Sequence, residues 1–183
     1  KAIRLASRSD VVVAVMGEHG LQSGEGRSRA KINLPGIQES FLKEIYKANN
    51  KVILVLMNGR PLDLSWVDEN IPAVVEAWQL GTMSGEAISS VLFGDYNPSG
   101  KLPVSFPRSL GQVPIYYNHK STGRPGPSDN VFWSHFNDEK NDPLYPFGYG
   151  LSYTKFNYAN LKIENLEDES SIKVNIMVEN IGK

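Results

Sequence analysis

Residues 11–36 read VVVAVMGEHGLQSGEGRSRAKINLPG, and the change of character inside this stretch decides the fold. Val11 to Val15 is unbroken apolar sequence, the pattern of a strand in a parallel sheet covered on both faces. A polar loop follows, carrying Glu18, Glu25, Arg27 and Arg29. Pro35 suits the first turn of a helix. Ligand chemistry in open α/β sheets collects at the carboxyl ends of strands, and a loop this long inside a compact domain is usually functional or disordered. The stretch predicts a strand–loop–helix unit with its chemistry on the loop.

Before this stretch, Ala2 to Ala6 has helical character. Ile37 to Ala48 reads as a helix with Ile37, Phe41, Ile45 and Ala48 on one face, stopped at Asn49-Asn50. Lys51 to Met57, KVILVLM, is a second continuous apolar strand, and Asn58-Gly59-Arg60-Pro61 is a turn. A short helix covers Ser65 to Asn70, a third strand Ala73 to Trp78, and a helix Glu86 to Phe93. This βαβαβα alternation predicts a doubly wound α/β unit with a mostly parallel sheet, part of a three-layer α/β sandwich. After Gly94, residues 95 to 150 are rich in proline and aromatics, an ordered wrapping segment that includes the extended piece Lys101 to Phe106; linkers are poor in aromatic residues. Tyr158 to Ile163 and Ile172 to Val178 alternate as two strands across an acidic turn, Glu167 to Ser171. Two strands do not stand alone, so they read as the initial strands of a β-sandwich. The organisation expected is one domain over residues 1–153 and the beginning of another over 154–183.

Composition narrows the function. The 183 residues are 40% hydrophobic with a net charge of -1, which argues for no nucleic acid and no membrane-surface partner. No apolar run approaches the roughly 18 residues of a membrane span. The chain has no cysteine, which excludes a disulfide scaffold, a zinc-thiolate site and a cysteine nucleophile. Asn97-Pro98-Ser99 is blocked as a glycosylation acceptor by its proline. The helical character already present at Lys1 and the strand-like run near Lys183 lead us to expect a piece of a longer protein.

The motifs are weighed in turn. Gly24 and Gly26 give G-x-G, but residue 29 is Arg, so the dinucleotide fingerprint fails, and no G-K-[ST] follows. His19, His119 and His135 lack the spacing of a metal site. Ser23 is not in a G-x-S-x-G elbow. The carboxylates remain. Glycoside cleavage needs two carboxyl groups across one bond, and a carboxyl in a partly desolvated cleft can serve as the acid. Glu25 lies between Gly24 and Gly26, which permit close approach of a ligand. Glu18 is nearer the strand end, where it could orient a sugar or support the loop.

The runs GEH (Gly17–His19), SGEGRSR (Ser23–Arg29), LVLMNGRPLDL (Leu54–Leu64), EAWQLGTMSGEAI (Glu76–Ile88), the long run from Val91 to Pro125 and YPFGYGLSYTKF (Tyr145–Phe156) resemble glycoside hydrolase family 3, and within it the bacterial periplasmic β-glucosidases. The resemblance runs from about Val11 to Phe156 with the motifs in order. It implies a TIM-like barrel preceding this segment, an α/β sandwich domain whose later part is residues 1–153, and a fibronectin type III-like domain whose first strands are residues 154–183. It implies a nucleophilic aspartate on the barrel, outside this chain, and a general acid/base on a loop of the sandwich domain. By motif position that acid/base is Glu25, with Glu18 as second choice. Many relatives carry E-G-x-D-R where this chain has E-G-R-S-R, so Ser28 stands where an Asp is common. A cation beside the acid would oppose its role, so Arg27 and Arg29 are expected to point away, toward loop carbonyls or other acids.

The activity implied is a retaining, exo-acting β-glucosidase hydrolysing terminal β-D-glucosyl residues of oligosaccharides or aryl glycosides, with no cofactor and no metal, in the periplasm or secreted. β-Xylosidase and other exo-glycosidase activities of the family are the near alternative, and a non-catalytic sugar-binding or assembly module is the distant one. Without the barrel the segment is expected to be inactive. Arg124, Trp133 and His135 are candidates for an outer sugar subsite, since aromatic faces stack on sugars.

Overall fold

The computed structural model describes residues 1–121, 123–124, 132–165 and 171–182. Two compact units divide the chain: Lys1–Ile88 with Lys101–Tyr149, and Ser89–Gly100 with Gly150–Lys183. The first unit is built on three parallel strands, β1 (Val12–Gly17), β2 (Val52–Met57) and β3 (Ala73–Glu76), in spatial order β1-β2-β3. Val12 pairs with Val52, and Ile53 with Ala73. Helix α1 (Ala2–Ala6) precedes β1, α2 (Gln38–Ala48) joins β1 to β2, and α3 (Ser65–Asn70) joins β2 to β3. Helix α4 (Ser84–Phe93) follows.

The α/β class stands as expected. Among the described residues the strands of this unit follow chain order without a reversal. Burial agrees. Strand β2 is apolar and mostly buried, with Val52, Leu54, Val55 and Leu56 inaccessible. On β1 only Ala14 is buried, while Val13 and Val15, and Val11 just before the strand, are exposed. The continuous apolar run suggested two covered faces. The described residues cover one face of this edge strand.

The core gathers β2 with Ala14, Leu34, Leu42, Ile45, Leu62, Leu64, Val67, Ile71 and Phe106. Helix α2 lies in a different phase from the one its apolar spacing suggested. Leu42 and Ile45 are its buried residues, whereas Ile37 is largely exposed. The cause is polar. Gln38 accepts from Gly17 N through Oε1 and donates to Gly17 O through Nε2, both at 2.8 Å. Asn49, just past the helix, donates to the carbonyls of Ala6 and Ser9 at 3.0 and 2.7 Å. Residues 38, 42, 45 and 49 are spaced four, three and four apart, one helical stripe. Two amides at its ends fix which stripe faces the sheet.

Within the aromatic segment, Lys101 to Phe106, expected to be extended, bends at Pro103 and Val104 and finds a backbone partner on either side. Leu102 N donates to Tyr149 O, Gly148 N to Leu102 O and Phe106 N to Tyr145 O, each at 2.8 Å. Phe106 is buried, with its ring 5.8 Å from that of Trp78 and 6.1 Å from that of Tyr145. Tyr145 in turn donates to Asp68 at 2.7 Å. A short 3-10 helix, Leu110–Gln112, was not anticipated.

In the second unit, β4 (Phe156–Asn165) and β5 (Ile172–Asn180) pair antiparallel with a bulge at Ala159/Lys162. Their apolar residues are exposed, among them Tyr158, Ile163, Val174 and Val178. The acidic turn expected at Glu167 to Ser171 lies, Ser171 apart, outside the described residues. Asn97 bonds Ser152 Oγ and Tyr153 N. No helix among the described residues is long and apolar enough to cross a membrane.

Candidate active site

The carboxyl ends of β1 and β2 lie side by side because the strands are parallel and in register to their last residues. Glu18 N donates to Met57 O at 2.8 Å, extending the ladder one step. Gly17 has φ 142°, and a Cβ there would lie 2.0 Å from Met57 O. Only glycine lets the two strand ends approach so closely.

Glu18 turns inward. Its side chain has no exposed surface. Arg29 Nη1 donates to Oε1 at 2.8 Å, and Arg60 Nε lies 3.1 Å from Oε1 and 3.2 Å from Oε2. Gly59 N reaches Oε2 at 3.4 Å. One buried carboxylate thus faces two guanidinium groups, one from the loop and one from the turn after β2. Arg29 also donates to Asn33 O at 2.8 Å, so it points to an acid and a loop carbonyl, as expected. The side chain of Arg27 makes no such contact among the described residues. It is the Arg27 carbonyl that is engaged, accepting from Arg60 Nη2 at 2.8 Å, while the same nitrogen donates to Gln22 O at 2.7 Å.

Glu25 is placed differently. Arg27 N donates to Gly24 O at 3.1 Å, closing a four-residue turn with Glu25 and Gly26 at its corners. Gly26 has φ 67°, the conformation that turns reserve for glycine at this position. Glu25 is exposed and makes no hydrogen bond or ion pair among the described residues. The two candidate carboxylates are therefore opposites: Glu18 is consumed by cations inside the unit, and Glu25 projects from a turn corner into solvent. His19 serves the local backbone, accepting from Leu21 N at Nδ1 (3.1 Å). Arg124 Nη1 donates to Phe132 O at 2.9 Å, and His135 Nδ1 lies 2.7 Å from Trp133 O. None of Arg124, Trp133 and His135 bonds the Glu25 loop among the described residues.

Residues 1–153 match the glycosyl hydrolase family 3 C-terminal domain. The chain belongs to glycoside hydrolase family 3. It is 46% identical over its whole length to a periplasmic β-glucosidase of Salmonella typhimurium, covering 24% of that protein. It is 42% identical to a β-xylosidase of Formosa agariphila, covering 25% of it. Among solved structures, a β-glucosidase from Listeria innocua superposes with a TM-score of 0.92 at 38% identity, over 98% of this chain and 25% of that one. The chain spans about a quarter of the length of these relatives.

The strand ends of this family 3 domain hold a further ionisable group that the sequence reading passed over. Glu76 closes β3, with Oε1 accepting from Trp78 N at 2.9 Å. Burial pushes its carboxyl up to about 7, against the lowering effects of that backbone bond and of the Asn58 amide. Asn58 is inaccessible and donates to Arg60 O at 2.7 Å. Glu76 Oε2 and Asn58 Oδ1 are buried acceptors without a donor among the described residues, a setting that favours the protonated acid. With the folded value above the ordinary 4.5, the folded chain holds this proton more tightly than the unfolded one. Its stabilising effect is complete below about pH 4.5 and is lost as pH rises through about 7. The expected change is about 3 kcal/mol. Denaturant unfolding at pH 5 and pH 8 measures it, and Glu76→Gln is expected to flatten the difference. An equal pH dependence in the variant would assign it to other groups.

Proposed function

We propose that this chain is the part of a retaining, exo-acting β-glucosidase that supplies the general acid/base, with Glu25 in that role. The observation that carries the reading is the contrast at the strand ends. Glu25 stands alone on a glycine-flanked turn, while Glu18 is buried between Arg29 and Arg60 and serves the architecture of the loop. The names of the Salmonella and Listeria relatives support glucosidase chemistry. The β-xylosidase relative, at 42% identity, supports the second reading, a xylosidase.

Two carboxyl groups complete the reaction. An aspartate of a TIM-like barrel in the same protein attacks the anomeric carbon, and the Glu25 carboxyl gives its proton to the departing glycosidic oxygen. The resulting carboxylate then takes a proton from water, which attacks the glycosyl–aspartate ester and releases the sugar with retained configuration. Glu25 lies in solvent in this chain, so the barrel surface and the sugar must exclude water around it. Residues 154–183 fit the opening strands of a fibronectin type III-like domain, whose remaining strands would cover the exposed faces of β4 and β5. A periplasmic or secreted location accords with the Salmonella relative. Arg124, Trp133 and His135 belong to this proposal as an outer subsite.

The test compares the whole protein with the isolated chain on p-nitrophenyl β-D-glucoside and β-D-xyloside. The whole protein is expected to hydrolyse the glucoside with the higher kcat/KM, and the isolated chain neither. A preference for the xyloside favours the second reading. Hydrolysis by the chain alone overturns the two-domain assignment, and no hydrolysis by the whole protein leaves a sugar-binding or assembly module.

A further inference from the structure

We infer that Arg60 is a positioning residue for Glu25: its guanidinium bridges the two ends of the segment that carries the acid and fixes where that carboxyl stands. The inference rests on the assignment of Glu25. Arg60 Nη2 donates to Gln22 O at 2.7 Å and to Arg27 O at 2.8 Å. One acceptor lies three residues before Glu25 and the other two residues after it. Arg60 Nε is held by the Glu18 carboxylate at 3.1 and 3.2 Å, and Glu18 is anchored to the end of β2 through Met57 O, so the plane of the group is set outside the 22–27 segment it grips. The Arg60 carbonyl accepts from Asn58, which is inaccessible to solvent. The clamp is therefore fixed to the end of β2, at the centre of the sheet.

A second contact acts on the same segment. A Cβ at Gly59 would lie 1.8 Å from Ser23 Oγ and 2.9 Å from Ser23 Cβ, so the turn after β2 and the Glu25 loop fit together only because residue 59 has no side chain. Glu25 has no side-chain partner of its own among the described residues, and its placement is set by this backbone support. Proton transfer requires the acid within hydrogen-bond reach of the leaving oxygen, and a misplacement of about 1 Å can cost about 100-fold in rate. Lysine at residue 60 would keep the charge but not the planar fork that reaches three acceptors at once.

The test uses the whole protein and compares kcat/KM on two substrates. Cellobiose needs its leaving group protonated, and 2,4-dinitrophenyl β-D-glucoside does not. Arg60→Lys is expected to lose about 30- to 100-fold on cellobiose and less than about threefold on the aryl glucoside, carried by kcat rather than KM. Gly59→Ala is expected to give the same selective loss, and adding Ser23→Gly to it to restore most of the activity. This second route keeps the inference testable if Arg60→Lys fails to fold. Equal losses on both substrates, or no loss, overturn the inference. Selectivity in Glu25→Gln with none in the Arg60 and Gly59 variants sinks the inference alone. Absence of selectivity in Glu25→Gln sinks the acid assignment beneath it.

Discussion

Glu25→Gln in the whole protein is expected to lower kcat/KM on cellobiose by about 10²- to 10⁴-fold, the usual contribution of a positioned general acid. The loss on 2,4-dinitrophenyl β-D-glucoside should be under about tenfold, because that phenolate departs without a proton. Glutamine keeps the shape and removes the proton. Stability should hardly change. Glu25 is exposed and unpartnered among the described residues, and surface substitutions of that kind stay within about 0.5 kcal/mol. The combination is diagnostic. A loss that ignores the leaving group, or one that tracks a fall in melting temperature, contradicts the assignment. Kinetics on the two glucosides, with a thermal melt as control, measure both halves.

Glu18→Ala is expected to do the reverse, costing stability first. It leaves Arg29 and Arg60 facing each other without the carboxylate they share. Breaking a buried ion pair from one side costs about 3–5 kcal/mol. The lower end applies here, because the two arginine side chains keep 21% and 22% of their exposure and can rehydrate. A loss of about 3 kcal/mol corresponds to roughly 6–12 °C in a chain of this size. Activity in the whole protein should fall on both glucosides at temperatures where the variant begins to unfold, and at lower temperature by a modest factor on cellobiose alone, because Arg60 then lacks the carboxylate that sets its plane. A shift under about 2 °C would mean that the network contributes little net. A selective loss on cellobiose as large as that expected of Glu25→Gln, without a stability change, would instead make Glu18 the acid.

How much of this was legible in the sequence differs by element, for physical reasons. Strand β2 and helix α3 were readable, since a continuous apolar run bounded by turns has few alternatives and the helix bounds matched, Ser65–Asn70. The phase of α2 was not. Hydrophobic periodicity counts apolar residues only, and the stripe facing the sheet begins and ends in amides, Gln38 and Asn49. The exposed face of β1 escaped for a related reason, because an apolar run does not say which layers cover it. At the candidate site, the exposed turn that carries Glu25 was legible from its glycine neighbours. The burial of Glu18 was not, because it depends on Arg60, 42 residues away in sequence. Arg60 itself was read only as part of a turn. Its hydrogen bonds to Gln22 and Arg27 join residues 38 and 33 positions apart, and contacts from side chain to distant backbone leave no local pattern. The available clue was positional: a polar turn at the end of β2 must lie beside the loop at the end of β1 once the strands pair in parallel.

The most direct test of the central claim is azide rescue of the Glu25→Ala whole protein acting on 2,4-dinitrophenyl β-D-glucoside. Without its base the protein is expected to accumulate the glycosyl–aspartate ester, because water cannot be deprotonated for attack. Azide needs no deprotonation, so turnover should rise about tenfold or more, and the product should be β-D-glucosyl azide of retained configuration. Unchanged turnover with free glucose as the only product would contradict Glu25 as the acid/base.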